Sequence, residues 1–219
     1  MRLYLARHAQ TYSNVTRALD TACPGAELTG LGLRQADRLA GRLAGVTLAA
    51  VAASPLRRAQ QTAAPLAGAR GLAVSTFPGL REVDAGELEM RTSDEATERY
   101  VALLHAWADG DLDARLPDGI SGHEFTGRYD EAVRALEEEV LQAGGGDALA
   151  VSHGAAIRVW AALRCRGVDP VAVSRRRLAN TAVIVLEGSS RDGWHLARRI
   201  EDHLPSAEPQ PASGAAPLW

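Results

Sequence analysis

The sequence contains no lysine; all 24 of its basic residues are arginine. That excludes a Schiff-base lysine and a phosphate loop of the Lys-Ser/Thr kind, since both need an ε-amine. Cysteine is scarce. Cys23 and Cys165 make neither a disulfide framework nor a four-ligand zinc site, and two lone thiols point to a reducing, cytoplasmic setting. Long apolar runs are missing: none approaches the roughly 18 residues of a membrane span. The opening MRLYLARHAQ is too short and turns polar too soon for a signal peptide. An excess of either charge is missing too. The formal net charge is −3, which provides no electrostatic ground for a nucleic-acid or membrane partner.

What is present suffices for one core of ordinary size: 219 residues, 46% of them hydrophobic. We expect a single domain over 1–203 and a disordered tail over 204–219, where Pro, Ala and Ser recur without periodicity. Within the domain, apolar segments of strand length alternate with helical patterns. Arg2 to Ala6, Leu48 to Ala53, Ala73 to Phe77 and Asp147 to Val151 read as strands. Thr29 looks like the N-cap of a helix reaching Leu43. Ser54 looks like the cap, and Pro55 the first turn, of another reaching Ala67. Further helices are expected from Ser93 to Asp109, Glu124 to Gln142 and Ala155 to Leu163, with a terminal hairpin of Ala182 to Leu186 and Trp194 to Ile200. This alternation predicts a three-layer α/β/α sandwich on a largely parallel central sheet.

Two histidines hold equivalent places. His8 ends the first strand and His153 ends the strand before Ser152. Ligands of open α/β sheets bind outside the carboxyl ends of the strands, so two imidazoles delivered there can face one site. His105, His123, His195 and His203 lack that placement and need no role beyond packing or solvation. Arg7 precedes His8, and neighbours on a strand point to opposite faces, so both serve one site only where the strand has ended. Arg57 and Arg58 stand in a first helical turn, where the macrodipole disfavours cations by roughly 0.3–1 kcal/mol. A bound anion, drawn to a guanidinium and to helix N–H groups alike, accounts for a cation there; a side chain facing solvent needs no such account. Two guanidiniums, two imidazoles and a helix N-terminus describe a pocket for a phosphate dianion.

Longer motifs surround these residues. Arg7-His8-Ala9-Gln10-Thr11, with Asn14, is followed by Leu28-Thr29-Gly30-Leu31-Gly32-Leu33-Arg34-Gln35-Ala36 and by Ser54-Pro55-Leu56-Arg57-Arg58-Ala59-Gln60-Gln61-Thr62-Ala63. Leu80-Arg81-Glu82 with Gly86, Ser152-His153-Gly154 and Asn180-Thr181-Ala182 come next. Together, in this order, they resemble the histidine phosphatase superfamily, in the branch of the cofactor-dependent phosphoglycerate mutases, fructose-2,6-bisphosphatase and α-ribazole phosphatase. The resemblance implies a phosphoglycerate mutase-like fold, with His8 as the nucleophile that accepts phosphate and Glu82 as the acid–base group. It places Arg7, Arg58 (rather than Arg57) and His153 around the phosphate, with Asn14, Thr11 and Gly154 as further ligands. It implies neither a metal nor a cofactor. The sequence departs from the family pattern at Ala9, where glycine is usual and a side chain requires negative φ. Ile120 replaces an acid in Pro117-Asp118-Gly119-Ile120-Ser121, and Met90 follows Glu89 where glycine is common.

The expected function is a metal-independent phosphatase acting on a small phosphorylated metabolite. A phosphoglycerate mutase-type phosphotransferase is the second reading. Against it, the stretch from Glu82 to His153 is short and acidic and lacks the mutases' long basic insertion. An inactive phosphate-binding relative is the third; against it, every candidate position is filled. The sequence is silent on oligomeric state. Tyr12, Leu104, Trp107, Ile120 and Phe125 are candidates for an apolar pocket rim.

Overall fold

The computed structural model describes residues 1–200; the tail expected over 204–219, and the end of the 1–203 domain, lie outside the described residues. In chain order the elements are β1 (Arg2–Arg7), α1 (Tyr12–Thr16), α2 (Gly30–Arg42), β2 (Leu48–Ala53), α3 (Arg57–Gly68), β3 (Val74–Thr76), α4 (Asp94–Ala108) and α5 (Gly122–Gln142). Then follow β4 (Asp147–Ser152), α6 (Gly154–Arg164), β5 (Cys165–Arg166), α7 (Pro170–Arg175), β6 (Val183–Ser189) and β7 (Gly193–Ile200).

The strands form one mixed sheet in the order β3-β2-β4-β1-β6-β7-β5. β3, β2, β4 and β1 run parallel, while β6 is antiparallel to β1 and to β7. Alternation along each strand feeds two cores. Leu3 and Leu5 of β1, with Ala50 and Ala52 of β2, join the core under α4, α5 and α6. Tyr4 and Ala6, with Val51 and Ala53, join the core under α2 and α3. Both faces are covered, which is why these strands read as continuous apolar runs. The result is the α/β sandwich expected, with an antiparallel pair added on one side.

Local chemistry explains most boundaries. Thr29 caps α2 by accepting from the Gly32 N–H at 3.0 Å. Ser121 and Glu124 form a reciprocal capping box, so α5 begins at Gly122, ahead of the expected Glu124. The start of α3 needs correction. Leu56, not Ser54, is its N-cap, and no side chain caps it; the Ser54 hydroxyl, two residues earlier, takes the Leu56 N–H at 3.3 Å and the His153 ring at 2.8 Å. The short α1, β5 and α7 are too brief for a periodic signal.

Candidate active site

β1 and β4 are parallel neighbours with Arg7 opposite Ser152. The next residue of each strand is a histidine, so His8 and His153 emerge side by side, ring centroids 5.2 Å apart. His8 is 4% exposed and His153 fully buried. The His8 Nδ1 lies 2.7 Å from the Ala9 carbonyl. A carbonyl can only accept, so Nδ1 carries the proton and Nε2 keeps its lone pair. Burial, then the Arg58 and Arg7 charges, hold the His8 imidazole well below its usual titration range, against a smaller opposing effect of that hydrogen bond. His8 is therefore neutral at pH 7. His153 is depressed in the same way, by burial and then by Arg58 and His8. Its Nδ1 accepts from Arg58 Nε at 3.3 Å, so its Nε2 is the nitrogen that donates to Ser54.

The backbone after β1 is clamped on every side. Ala9 donates its N–H to Thr62 Oγ1 at 3.0 Å, and that hydroxyl donates to the Arg58 carbonyl at 2.6 Å. Gln10 donates its N–H to Gln35 Oε1 at 2.8 Å. A Cβ on Gly32 would lie 2.1 Å from the Gln10 carbonyl oxygen, so only glycine lets α2 approach this loop. Ala9 lies outside the left-handed region and packs with Leu28 and Ala36, which is how it replaces the usual glycine. Asn180 donates to the His8 carbonyl at 3.0 Å and to Asn14 Oδ1 at 3.1 Å. Asn14 Oδ1 also accepts from the Thr11 N–H at 3.1 Å, leaving the Asn14 amide nitrogen to donate into the cleft it lines. Thr11 is the N-cap of α1, its oxygen accepting from the Asn14 N–H.

Neighbouring arginines part ways at the start of α3. Arg58 turns inward, its Nη2 donating to the Asp20 carbonyl at 2.8 Å and its Nη1 lying 3.6 Å from the Asp20 carboxylate. Arg57 stays outside and pairs with Glu27 at 3.1 Å. Arg7 donates to the Leu178 carbonyl at 2.7 Å. A Cβ on Gly154 would come within 3.2 Å of Arg7 Nε, so glycine leaves that guanidinium its room.

Glu82 accepts from the N–H groups of Ala156 at 2.7 Å and Ala155 at 3.3 Å, at the N-terminus of α6. Its own segment is pinned by Arg128 of α5, which donates to the carbonyls of Gly79, Arg81 and Glu82. The other acids nearby do different work: Glu87 pairs with Arg99, and Glu89 accepts from the Thr21 and Ala22 N–H groups. Of this acidic run, Glu82 is the member that lines the cleft.

The cleft encloses about 570 Å³ including its open mouth, and Arg7, His8, Thr11, Asn14, Arg58, Glu82 and Gly154 line it. His153 does not. It supports Arg58 from behind, both ring nitrogens engaged. The expected rim also changes. Leu104 lines the cleft, but Trp107 and Phe125 are fully buried and stack 5.5 Å apart, because they fall on the core-facing stripes of α4 and α5. Ile120 packs against the same core, and Tyr12 is exposed on α1 outside the lining. Sequence reasoning gave no role to Thr62, Asn180, Arg128, Asp20 or Arg158. Arg158, buried on α6, donates to the carbonyls of Gly154 at 3.0 Å and Ser174 at 2.6 Å and lines the cleft. An arginine in the middle of the otherwise apolar run Ala155 to Leu163 was the available signal.

Fold and site together define an α/β sandwich with one imidazole and several guanidinium groups converging on a cleft at the carboxyl ends of its parallel strands. The model of the histidine phosphatase superfamily (branch 1) matches residues 3–202, and the chain belongs to that superfamily. It is 33% identical over 183 residues to the probable phosphoglycerate mutase GpmB of Enterobacter sp. (strain 638), covering 84% of this chain and 83% of that protein. It is also 33% identical over 202 residues to the PE-PGRS family protein PE_PGRS11 of Mycobacterium tuberculosis, covering 87% of this chain but only 35% of that protein's length. Among solved structures, a mycobacterial glucosyl-3-phosphoglycerate phosphatase in complex with VO3 superposes with a TM-score of 0.74 at 26% identity, over 89% of this chain and 96% of that one. The α-ribazole phosphatase of Shigella flexneri superposes with a TM-score of 0.68 at 28% identity, over 90% and 94%. No helix among the described residues is long and apolar enough to cross a membrane.

Proposed function

We propose that the chain is a metal-independent phosphatase of the cytoplasm, with one catalytic domain over 1–203, that hydrolyses a small phosphorylated metabolite through a phosphohistidine. The single observation that carries this reading is the His8 tautomer: Nδ1–H on the Ala9 carbonyl leaves a neutral Nε2 lone pair beside the cationic Arg7 and Arg58. Nε2 attacks phosphorus, the bond to the leaving oxygen breaks, and Glu82 gives that oxygen its proton. Glu82 then takes a proton from water, whose oxygen attacks phosphorus and releases orthophosphate and neutral His8. Arg7, Arg58 and the Asn14 amide hold the non-bridging oxygens, and fixed positive charge is the main requirement of phosphoryl transfer. The arginines supply the charge a metal would bring. His153 orients Arg58 from behind, accepting from its Nε on Nδ1 and donating from Nε2 to Ser54.

Rapid acid-free quenching with labelled substrate should trap label on His8, and His8→Ala should abolish it. Glu82→Gln should depress turnover of an alkyl phosphate far more than that of p-nitrophenyl phosphate, whose leaving group hardly needs a proton. The same leaving-group dependence in Glu87→Gln or Glu89→Gln, and not in Glu82→Gln, would reassign the acid. The GpmB relatives favour phosphotransfer as a second reading; label passing to a phosphoglycerate faster than to water would establish it in place of hydrolysis.

A further inference from the structure

Arg158 is a buried cation that lines the cleft, and it is only 6% exposed. Its Nε and Nη1 donate to the Gly154 and Ser174 carbonyls. Among the described residues, none accepts from Nη2 and no carboxylate forms an ion pair with the guanidinium. Burial lowers its pKa, and the Glu82 charge, the largest of the opposing effects, does not make up for it. Arg199 and Arg177 nearby add charge of its own sign. The second cavity that Arg158 borders is apolar, walled by Ile157, Val173, Leu178 and Ile184, with Arg199 as its other charged residue. In the cleft lining the acids are Asp20 and Glu82, and Asp20 is taken by Arg58. Burying a charge without a partner is costly, and the cleft is the side from which a partner can come.

Two observations put this guanidinium on the leaving-group side. The charges that act on His8 are those of Arg58 and Arg7, so Arg158 stands apart from the groups that hold the phosphoryl oxygens. Its principal opposite charge is Glu82, which is bonded to the Ala155 and Ala156 N–H groups just before Arg158 on α6. Glu82 is the proposed acid for the leaving oxygen, and to give a proton it must carry one when substrate binds. Arg158 then loses its principal opposite charge while the leaving group lies beside it. We infer that Arg158 is a specificity-determining residue whose Nη2 receives an oxyanion, a carboxylate or a second phosphate, carried on the leaving group. Leu19, Val101 and Leu104 in the same lining keep the surroundings apolar, which strengthens such a pair. The inference deepens the hydrolytic reading above and rests on it.

Three primary alkyl esters of one chain length test this in the purified enzyme: propyl phosphate, the phosphate ester of 3-hydroxypropanoate and the bisphosphate of 1,3-propanediol. The wild-type enzyme should prefer one or both anionic esters to propyl phosphate by at least about tenfold in kcat/KM, mostly through KM; which of the two is preferred tells carboxylate from phosphate. Arg158→Met should bring that ratio close to one, whereas loss of a merely structural arginine would slow all three esters alike. Arg158→Gln, which keeps an amide donor beside the Gly154 and Ser174 carbonyls, guards against simple misfolding and should lose the preference in the same way. Arg158→Lys, which keeps the charge, should retain most of it. An active enzyme with equal kcat/KM on the three esters would overturn the assignment. So would a preference that survives both Arg158→Met and Arg158→Gln, since it would then belong to Arg7 and Arg58. If the wild-type enzyme hydrolyses none of these esters and no p-nitrophenyl phosphate either, the hydrolytic reading falls and takes this inference with it, a result distinct from an active enzyme indifferent to the second charge.

Discussion

Replacing Thr62 by valine removes one hydroxyl from a fully buried position at nearly constant volume. That hydroxyl accepts the Ala9 N–H at 3.0 Å and donates to the Arg58 carbonyl at 2.6 Å. The Ala9 N–H has no water to turn to, because Ala9 is itself fully buried. Leaving a buried donor unpaired costs about 1–3 kcal/mol. With a urea dependence of about 2 kcal/mol per molar, a loss of about 2 kcal/mol lowers the unfolding midpoint by about 1 M. The kinetic effect follows from the other end of the same residue. The Ala9 carbonyl fixes the His8 tautomer, and a loosened Ala9 lets that acceptor drift. We expect kcat to fall about tenfold, equivalent to about 1.4 kcal/mol. KM should stay within about twofold, since the arginines keep their partners. Thr62→Ser, which keeps the hydroxyl, should restore most of kcat. Urea titration and steady-state kinetics on p-nitrophenyl phosphate measure both effects. A Thr62→Val enzyme with unchanged midpoint and kcat, or with raised KM and normal kcat, would refute the reasoning.

Arg58→Ala should reduce kcat/KM at least about tenfold more than Arg57→Ala, since one guanidinium lies in the cleft and the other pairs with Glu27 at the surface; the reverse order would reverse their roles. Activity should survive EDTA and be inhibited by vanadate, and activity lost to chelator and restored by a divalent cation would remove the metal-free mechanism. Stability should fall as pH drops below 6.5, where unfolded His8 and His153 bind protons that their depressed folded forms refuse. The sign is that of a lowered folded pKa: the full stability is present above 6.5 and is lost toward acid. The slope approaches about 1.4 kcal/mol per pH unit for each imidazole. His8→Asn should remove about half of it between pH 5 and 6.5, and an unchanged slope would show that His8 does not titrate differently on folding.

Much of this molecule was legible in the chain because the signals are local. The continuous apolar runs of β1 and β2, the Thr29 cap and the Gly144-Gly145-Gly146 break after α5 depend on a few consecutive residues, and so does the placing of His8 and His153 at strand ends. The motif register also separated Arg58 from Arg57, a choice one residue wide that helix geometry turns into inside and outside. Ser54 misled for the opposite reason. A serine before a helical proline reads as a cap, but its hydroxyl found His153, a partner 99 positions away.

Tertiary structure alone decided what depends on partners distant in sequence. Strand order set β4 between β1 and β2, and that adjacency brings two imidazoles to 5.2 Å. It set Glu82 on the first N–H groups of α6 and Arg128 on the segment that carries Glu82. It sent Trp107 and Phe125 to the core rather than the rim, and it turned Arg158 into the cleft. The reason is physical. A chain's repeat of hydrophobicity determines which face of each element is buried, because burial is judged residue by residue. Which element then covers that face, and which buried donor meets which acceptor, is settled only when the whole sheet closes and every backbone and side-chain polar group must find a partner at once.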